Sequence, residues 1–125
     1  LRLAELHSAV LLQESVLVAK DQMDQAHRYE GFNPMNWMAS DTNHYLGEMS
    51  LEAVIEQEGN WVYDPKRQVI AYKGLTNEFL AEKGETESKW LQFKVVPLWS
   101  NKEGHEKNNN LIAKGLRLQR LSDAK

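Results

Sequence analysis

The sequence predicts an α+β fold, with one long N-terminal α-helix lying across an antiparallel β-sheet of about four strands. Three observations carry that expectation. Apolar residues from Ala9 to Ala26 recur at alternating three- and four-residue steps. An Asp-Pro turn at Asp64-Pro65 joins two short alternating segments, and a stretch rich in aromatic and β-branched residues runs from Trp90 to Trp99.

Placed on a helix, Leu1 to Glu30 carries two stripes. Ala9, Leu12, Val16, Ala19, Met23 and Ala26 form one continuous apolar line. Leu3, Leu6, Val10 and Leu17 form a second on another face, which continues past Val18 as Asp21, Asp24 and Arg28. A helix apolar on two faces at one end and on one face at the other has two partners, then one. Leu12, Val16, Ala19 and Met23 are therefore expected to hold the sheet, and Leu3, Leu6, Val10 and Leu17 to meet neighbouring subunits. On that assignment Leu17→Asp impairs assembly but leaves the domain folded. Gly31 suits a left-handed helix end and Pro34 cannot continue a helix. Thirty residues at about 1.5 Å each predict a rod of about 45 Å, part of which projects.

Residues 31–59 read as a connecting region. Phe32 to His44 is irregular, with Asn33-Pro34 at its start, yet Phe32, Met35, Trp37 and Met38 make it too apolar for a free linker. Tyr45 to Gln57 reads as a short helix or turn followed by an extended segment. Residues 60–121 read as the sheet. Asn60 to Tyr63 and Gln68 to Lys73 flank the turn Asp64-Pro65-Lys66-Arg67, where Asp accepts backbone N–H groups and Pro presets φ. Alternation puts Trp61, Tyr63, Ile70 and Tyr72 on one parity and Val62, Val69 and Ala71 on the other, so both faces of this hairpin should be covered. Pro97 suggests an edge position or a break in the next strand. Leu111 to Leu121 reads as the closing strand.

At 125 residues, 42% apolar and 26% charged, the chain is one globular domain of ordinary composition. A net charge of −3 without a Lys/Arg cluster argues against nucleic acid as a partner. The chain has no cysteine, which excludes disulfides and thiolate metal sites. It begins at Leu1 with no Met, so an upstream segment is expected to have been removed. No apolar run exceeds four residues, whereas a spanning helix needs about 20.

The chemistry-bearing residues point away from catalysis. His7, His27, His44 and His105 show no metal-ligand spacing. Glu82, Glu85 and Glu87, with Lys83 and Lys89 nearby, are expected to be solvated, and no D-x-D-x-D-G loop supports calcium at Glu82–Glu87 or Asn101–Asn110. No G-x-S-x-G or phosphate-binding Gly loop is present. No cofactor is expected. Trp61 and Trp90 read as packing residues, and Trp37 and Trp99 as the tryptophans to examine for exposure.

The middle of the chain runs Asn33-Pro34-Met35, Trp37-Met38, Asn43-His44-Tyr45-Leu46-Gly47-Glu48, Gly59-Asn60-Trp61-Val62-Tyr63-Asp64-Pro65 and Ile70-Ala71-Tyr72. These segments, in this order behind an amphipathic helix, resemble the globular region of type IV pilin-like proteins. The likeness is greatest to the minor pilins of the MSHA (mannose-sensitive haemagglutinin) pilus biogenesis cluster, and it covers roughly residues 1 to 75. The matching positions are Tyr45, Gly47, Glu48, Trp61, Tyr63, Asp64, Pro65, Ile70 and Tyr72. Gln68 stands where the family usually has Gly, which leaves the turn type open. Glu5 does not correspond to the acidic residue of the family's membrane segment, which would lie upstream of Leu1.

The resemblance implies a non-enzymatic protein of a Gram-negative bacterium, anchored in the inner membrane with a periplasmic domain or incorporated in the extracellular pilus. Its implied partners are other pilin and minor pilin subunits and inner-membrane assembly proteins. Within that frame Asp64 is expected to cap its turn, and Glu48 to accept backbone hydrogen bonds or form an ion pair. The alternative from a different class is an extracytoplasmic ligand-sensing or binding module attached to a membrane helix, with a pocket of about 300 Å³ or more between helix and sheet.

Overall fold

The computed structural model of the chain describes residues 2–38, 43–53, 59–75, 88–101 and 111–121. Helix α1 spans Leu3–Ala19. It starts where the backbone N–H of Arg2 donates to Glu5 Oε1 at 2.8 Å, which gives Glu5 a local, helix-starting role. It ends eleven residues before the position expected from the sequence, so the rod is about 25 Å long rather than about 45 Å. Asp21 takes the left-handed conformation, φ +55°. Its N–H reaches the Val18 carbonyl at 3.0 Å, and Gln22 N–H reaches the Leu17 carbonyl at 2.8 Å. This paired 5→2 and 6→1 closure is a Schellman motif.

The chain continues as a 3-10 helix at Met23–Tyr29 and reaches Gly31. Gly31 has φ +78°, and a Cβ there would lie 2.8 Å from Gln68 Cβ, so only glycine fits. Its N–H donates to the Val95 carbonyl at 2.8 Å, and its own carbonyl accepts from the Tyr63 hydroxyl. Two further 3-10 segments follow, Pro34–Trp37 and Leu51–Ala53.

The sheet has five strands in sequential order: β1 Tyr45–Glu48, β2 Asn60–Asp64, β3 Val69–Leu75, β4 Ser88–Asn101 and β5 Leu111–Arg120. The α+β class holds, but the sheet is mixed. β1 runs parallel to β2, and the other pairs are antiparallel. Tyr45 to Gln57 was expected to turn first and extend second; the described part does the reverse. A parallel pair needs a crossover, and Met49, Leu51 and their neighbours pass over the far face of the sheet to provide part of it.

The β2–β3 hairpin forms with the expected parity. Trp61, Tyr63 and Ile70 lie in the helix-side core, and Val62, Val69 and Ala71 lie in the core on the other face. The turn comprises residues 65–68, with Gln68 at φ +58° occupying the conformation a glycine would favour. Pro97 lies past the stretch of β4 that pairs with β3, Ser88 to Phe93, and pairs with Leu116 of β5 alone. Its missing N–H therefore costs the ladder nothing on the β3 side. Glu82, Glu85, Glu87 and His105 lie outside the described residues.

Candidate assembly interface

The larger residues of the two stripes exchange the places expected of them, while Ala9 and Ala26 of the first stripe are buried as expected. Leu6, Val10 and Leu17 are buried in the helix-side core with Trp61, Phe93, Val95, Leu116 and Leu118, and Leu3 packs at its edge. The assignment of Leu3, Leu6, Val10 and Leu17 to foreign subunits is thereby overturned. Of the four residues expected to hold the sheet, Leu12 is 62% exposed and Ala19 is exposed, while Val16 and Met23 are half-buried. Met23 packs against the core from the 3-10 segment rather than from the helix.

The physical reason lies in side-chain size and in the helix end. Leu6, Val10 and Leu17 fill the gap between helix and sheet, which Ala9 and Ala19 cannot do. The Ala9–Ala26 line gained its apparent length from Met23 and Ala26, which lie past the Schellman closure and do not share the helical phase of α1.

The outward face is consequently the one to weigh. Ala4, Ser8, Leu11, Leu12, Ser15, Val18 and Ala19 are all exposed and follow one another at steps of one, three and four. Exposed His7 stands at the edge of this face between Ala4 and Leu11 and exposed Lys20 follows it, but no Asp, Glu, Lys or Arg lies among them. Leu11 is 43% and Val18 63% exposed. Three exposed aliphatic side chains, Leu11, Leu12 and Val18, among small residues make a shallow surface suited to packing against another helix or strand pair. Glu14 sits at the edge of the buried face, and its Oε1 accepts from Arg117 Nη1 of β5 at 2.7 Å. Gly115 opposite leaves room for this pair, because a Cβ there would come within 2.5 Å of Glu14 Oε2. With Arg117 nearly half exposed, the bond contributes about 0.5 kcal/mol and serves mainly to fix the helix on β5.

The motif residues form separate hydrogen-bonded ties between connecting segments and the sheet. Asn33 is buried; its Oδ1 accepts from the Met35 N–H at 3.0 Å, and its Nδ2 donates to the Tyr45 hydroxyl at 2.9 Å and to Glu48 Oε2 at 3.5 Å. Burial pushes the phenols of Tyr45 and Tyr63 above their usual range, and the nearby Glu48 carboxylate pushes both the same way. Asp64 is buried. Its Oδ1 accepts from the N–H groups of Lys66 and Arg67 at 2.9 and 3.2 Å, and its Oδ2 from Leu51 N–H at 3.0 Å. The Arg67 guanidinium stands 3.5 Å away and also binds Glu52. Pro65 is exposed in the turn, and Ile70 and Tyr72 pair with Tyr63 and Trp61 across the hairpin. Asp64 does cap its turn; Glu48 meets the Asn33 side chain rather than backbone. Gly47, at φ +108°, lies in β1. These residues hold connecting segments against the sheet.

Exposed apolar side chains also stand on both faces of the far end of the β4–β5 hairpin, and sequence reasoning missed them apart from Trp99. Trp99 continues the alternation of Leu91, Phe93, Val95 and Pro97 yet is 46% exposed. Trp99 pairs with Ala113; Leu111, opposite Asn101, is on the same face, Ile112, opposite Ser100, is on the other, and both are half exposed. A register shift at Leu98/Trp99 separates this end from the rest of the ladder. Trp37 is half-buried in a surface cluster with Phe32 and Tyr29.

Among the described residues, two surface depressions stand out. One of about 550 Å³ is lined by Asp21, Gln22, Asp24, Gln25, Arg28 and Tyr29. The other, of about 210 Å³, is lined by Leu51, Glu52, Arg67, Trp90 and Gln92. Neither of these two lies between helix and sheet. Among the described residues no three His, Asp or Glu side chains converge as a metal site would require, and no helix is long and apolar enough to cross a membrane. In comparisons with family models, with curated proteins and with solved structures, nothing matches the chain.

Proposed function

We propose that this chain is the globular part of a type IV pilin-like minor pilin, of the kind found in MSHA-type pilus biogenesis. It acts without catalysis, entering or initiating a filament beside other pilin subunits, and it is carried to that place by a membrane helix upstream of α1 and by inner-membrane assembly proteins. The supporting observation is the division of labour on α1. One stripe is committed to the chain's own sheet, and the opposite, charge-free stripe around Leu11, Leu12 and Val18 stands open at the N-terminal element. The motif resemblance adds the family, and the bonds of Asn33 with Tyr45 and Glu48, of Tyr63 with Gly31 and of Asp64 with Leu51 give those motifs a shared use, the tying of connecting segments to the sheet.

The test is a filament assay on the membrane-anchored gene product carrying Leu12→Asp and Val18→Asp together. Burying two unpaired carboxylates in an apolar contact should cut the yield of sheared filaments by at least about tenfold. The melting temperature of the isolated chain should stay unchanged. Full filament yield from the doubly charged protein would reject the assignment.

A second reading, a ligand-binding module on a membrane helix, is favoured by the 550 Å³ depression at Asp21–Tyr29. Its volume suits a small molecule, but its Asp, Gln and Arg lining lacks the apolar walls such sites use. The filament reading has the stronger support.

A further inference from the structure

Strand β5 ends the strand order of the sheet, and among the described residues no strand or loop backbone bonds to its outer side. An open edge of ten residues is a template for a further strand, and folded proteins close such edges with turned-in charges or covering elements.

Which main-chain groups face outward follows from the bonds to β4. Leu121 N–H donates to the Gln92 carbonyl at 2.9 Å, so by alternation Arg117 and Gln119 also turn their main-chain groups toward β4. Those of Leu116, Leu118 and Arg120 then point off the sheet. Val95, opposite Leu118, agrees, because its carbonyl turns away from β5 and accepts from Gly31 N–H.

Arg117 lies opposite Val96, on the face away from α1, because Val95 belongs to the helix-side core. Glu14 belongs to α1, on the near face. The Arg117 guanidinium therefore has to cross the β5 edge to reach it. It crosses at Leu116, where Nη1 donates to the Leu116 carbonyl at 2.6 Å and to Glu14 Oε1 at 2.7 Å. Gly115 gives the crossing its room, since a Cβ there would come within 2.5 Å of Glu14 Oε2 and 3.2 Å of Arg117 Nη1.

We propose that the Glu14–Arg117 pair is a strap that holds the outer edge of β5 shut, and that the strand it excludes is β5 of a second copy. Two such edges match in an antiparallel pairing about a two-fold axis at Leu118, with Leu116 opposite Arg120 and Arg117 opposite Gln119. Within Leu116–Arg120 no like charges directly face each other in that register, so the strand's own charges do not forbid it. The strap does. Arg120 N–H of the second copy would need the Leu116 carbonyl that Arg117 occupies, and the incoming strand would cover the Glu14 carboxylate. This inference does not rest on the filament reading, because a two-fold pairing closes on itself and adds no further copies.

The test removes the strap without changing net charge. Glu14→Ala with Arg117→Ala is compared with the parent chain and with Glu30→Ala plus Lys114→Ala, an exposed acid and an exposed base away from the Leu116 carbonyl. Sedimentation over a concentration series should show the strap-free chain forming dimers at least about tenfold more tightly than either of the others. Amide hydrogen exchange should show Leu118 N–H gaining protection in step with that association. Equal association of all three proteins would overturn the strap as a guard. Association without concentration-dependent protection at Leu118 would put the contact elsewhere and overturn strand addition. If the alanine pair abolishes cooperative melting, Glu14→Gln with Arg117→Gln, which keeps more of the side-chain bulk, goes through the same two measurements and is judged by the same outcomes.

Discussion

The Tyr63 phenol donates to the Gly31 carbonyl from within the helix-side core, and this bond, with the Gly31–Val95 backbone bond, pins the segment after α1 to the sheet. Burial is the first cause that raises its pKa above the ordinary 10.0, followed by the Glu48 and Asp64 carboxylates. A raised folded-state pKa contributes stability that is complete below the unfolded value and lost as pH climbs through the folded one. Stability should therefore fall above pH 10, as the unfolded chain ionises Tyr63 before the folded chain does. Tyr63→Phe should cost about 0.5–1.5 kcal/mol at neutral pH and flatten the alkaline decline. Urea midpoints between pH 8 and 11 check this, and parallel declines in both proteins would contradict it. At this scale the sequence was partly legible. Asp64 followed by Pro65 announced a capped turn, because the Asx geometry depends on residues two and three positions on. The tie from Asp64 to Leu51 N–H spans thirteen residues, and nothing in the local pattern announces it. The same holds for Asn33 with Tyr45 and Glu14 with Arg117.

The end of α1 is the element that sequence periodicity placed worst. Apolar spacing continued through Met23 and Ala26, and Gly31 offered a conventional stop, so the helix was extended past a closure made by Asp21. Aspartate reaches the left-handed conformation at a cost of about 1–2 kcal/mol, less than the tertiary gain from folding the 3-10 segment over β4 and β5. Asp21→Gly removes most of that local cost while keeping both closing bonds, which are made by the main chain. It should stabilise the protein by about 1 kcal/mol, a rise of about 3–5 °C in melting temperature. A drop in melting temperature would mean that the Asp21 carboxylate has a stabilising contact of its own. The β2–β3 hairpin and the parities of its two faces were readable because an alternating pattern flanked by Asp-Pro has one register. β1 was not, since its parallel pairing depends on a crossover rather than on its four residues.

The described residues place a helix on one face of the sheet and Met49 and Leu51 over the β2–β3 part of the other, and stability divides sharply between the two stripes of α1. Leu17 is 2% exposed in the main core, whereas Leu12 is 62% exposed on the outward face. Leu17→Asp deletes a core side chain and buries a carboxylate with no partner, a combined cost of about 3–5 kcal/mol. That is a large part of the 5–15 kcal/mol that typically holds a domain together. Leu12→Asp changes a solvated position and should stay within about 0.5 kcal/mol of the parent. Sequence reasoning expected Leu17→Asp to leave the fold intact; the observed packing reverses that, because the bulkier stripe faces inward. Denaturant unfolding of the two variants side by side separates the cases. Loss of cooperative unfolding in Leu17→Asp with a parent-like transition in Leu12→Asp fits the described core, and the opposite pattern would exchange the faces again. Only with Leu12→Asp folded does a defect in assembly report on contact between molecules, so this comparison comes before the filament experiment.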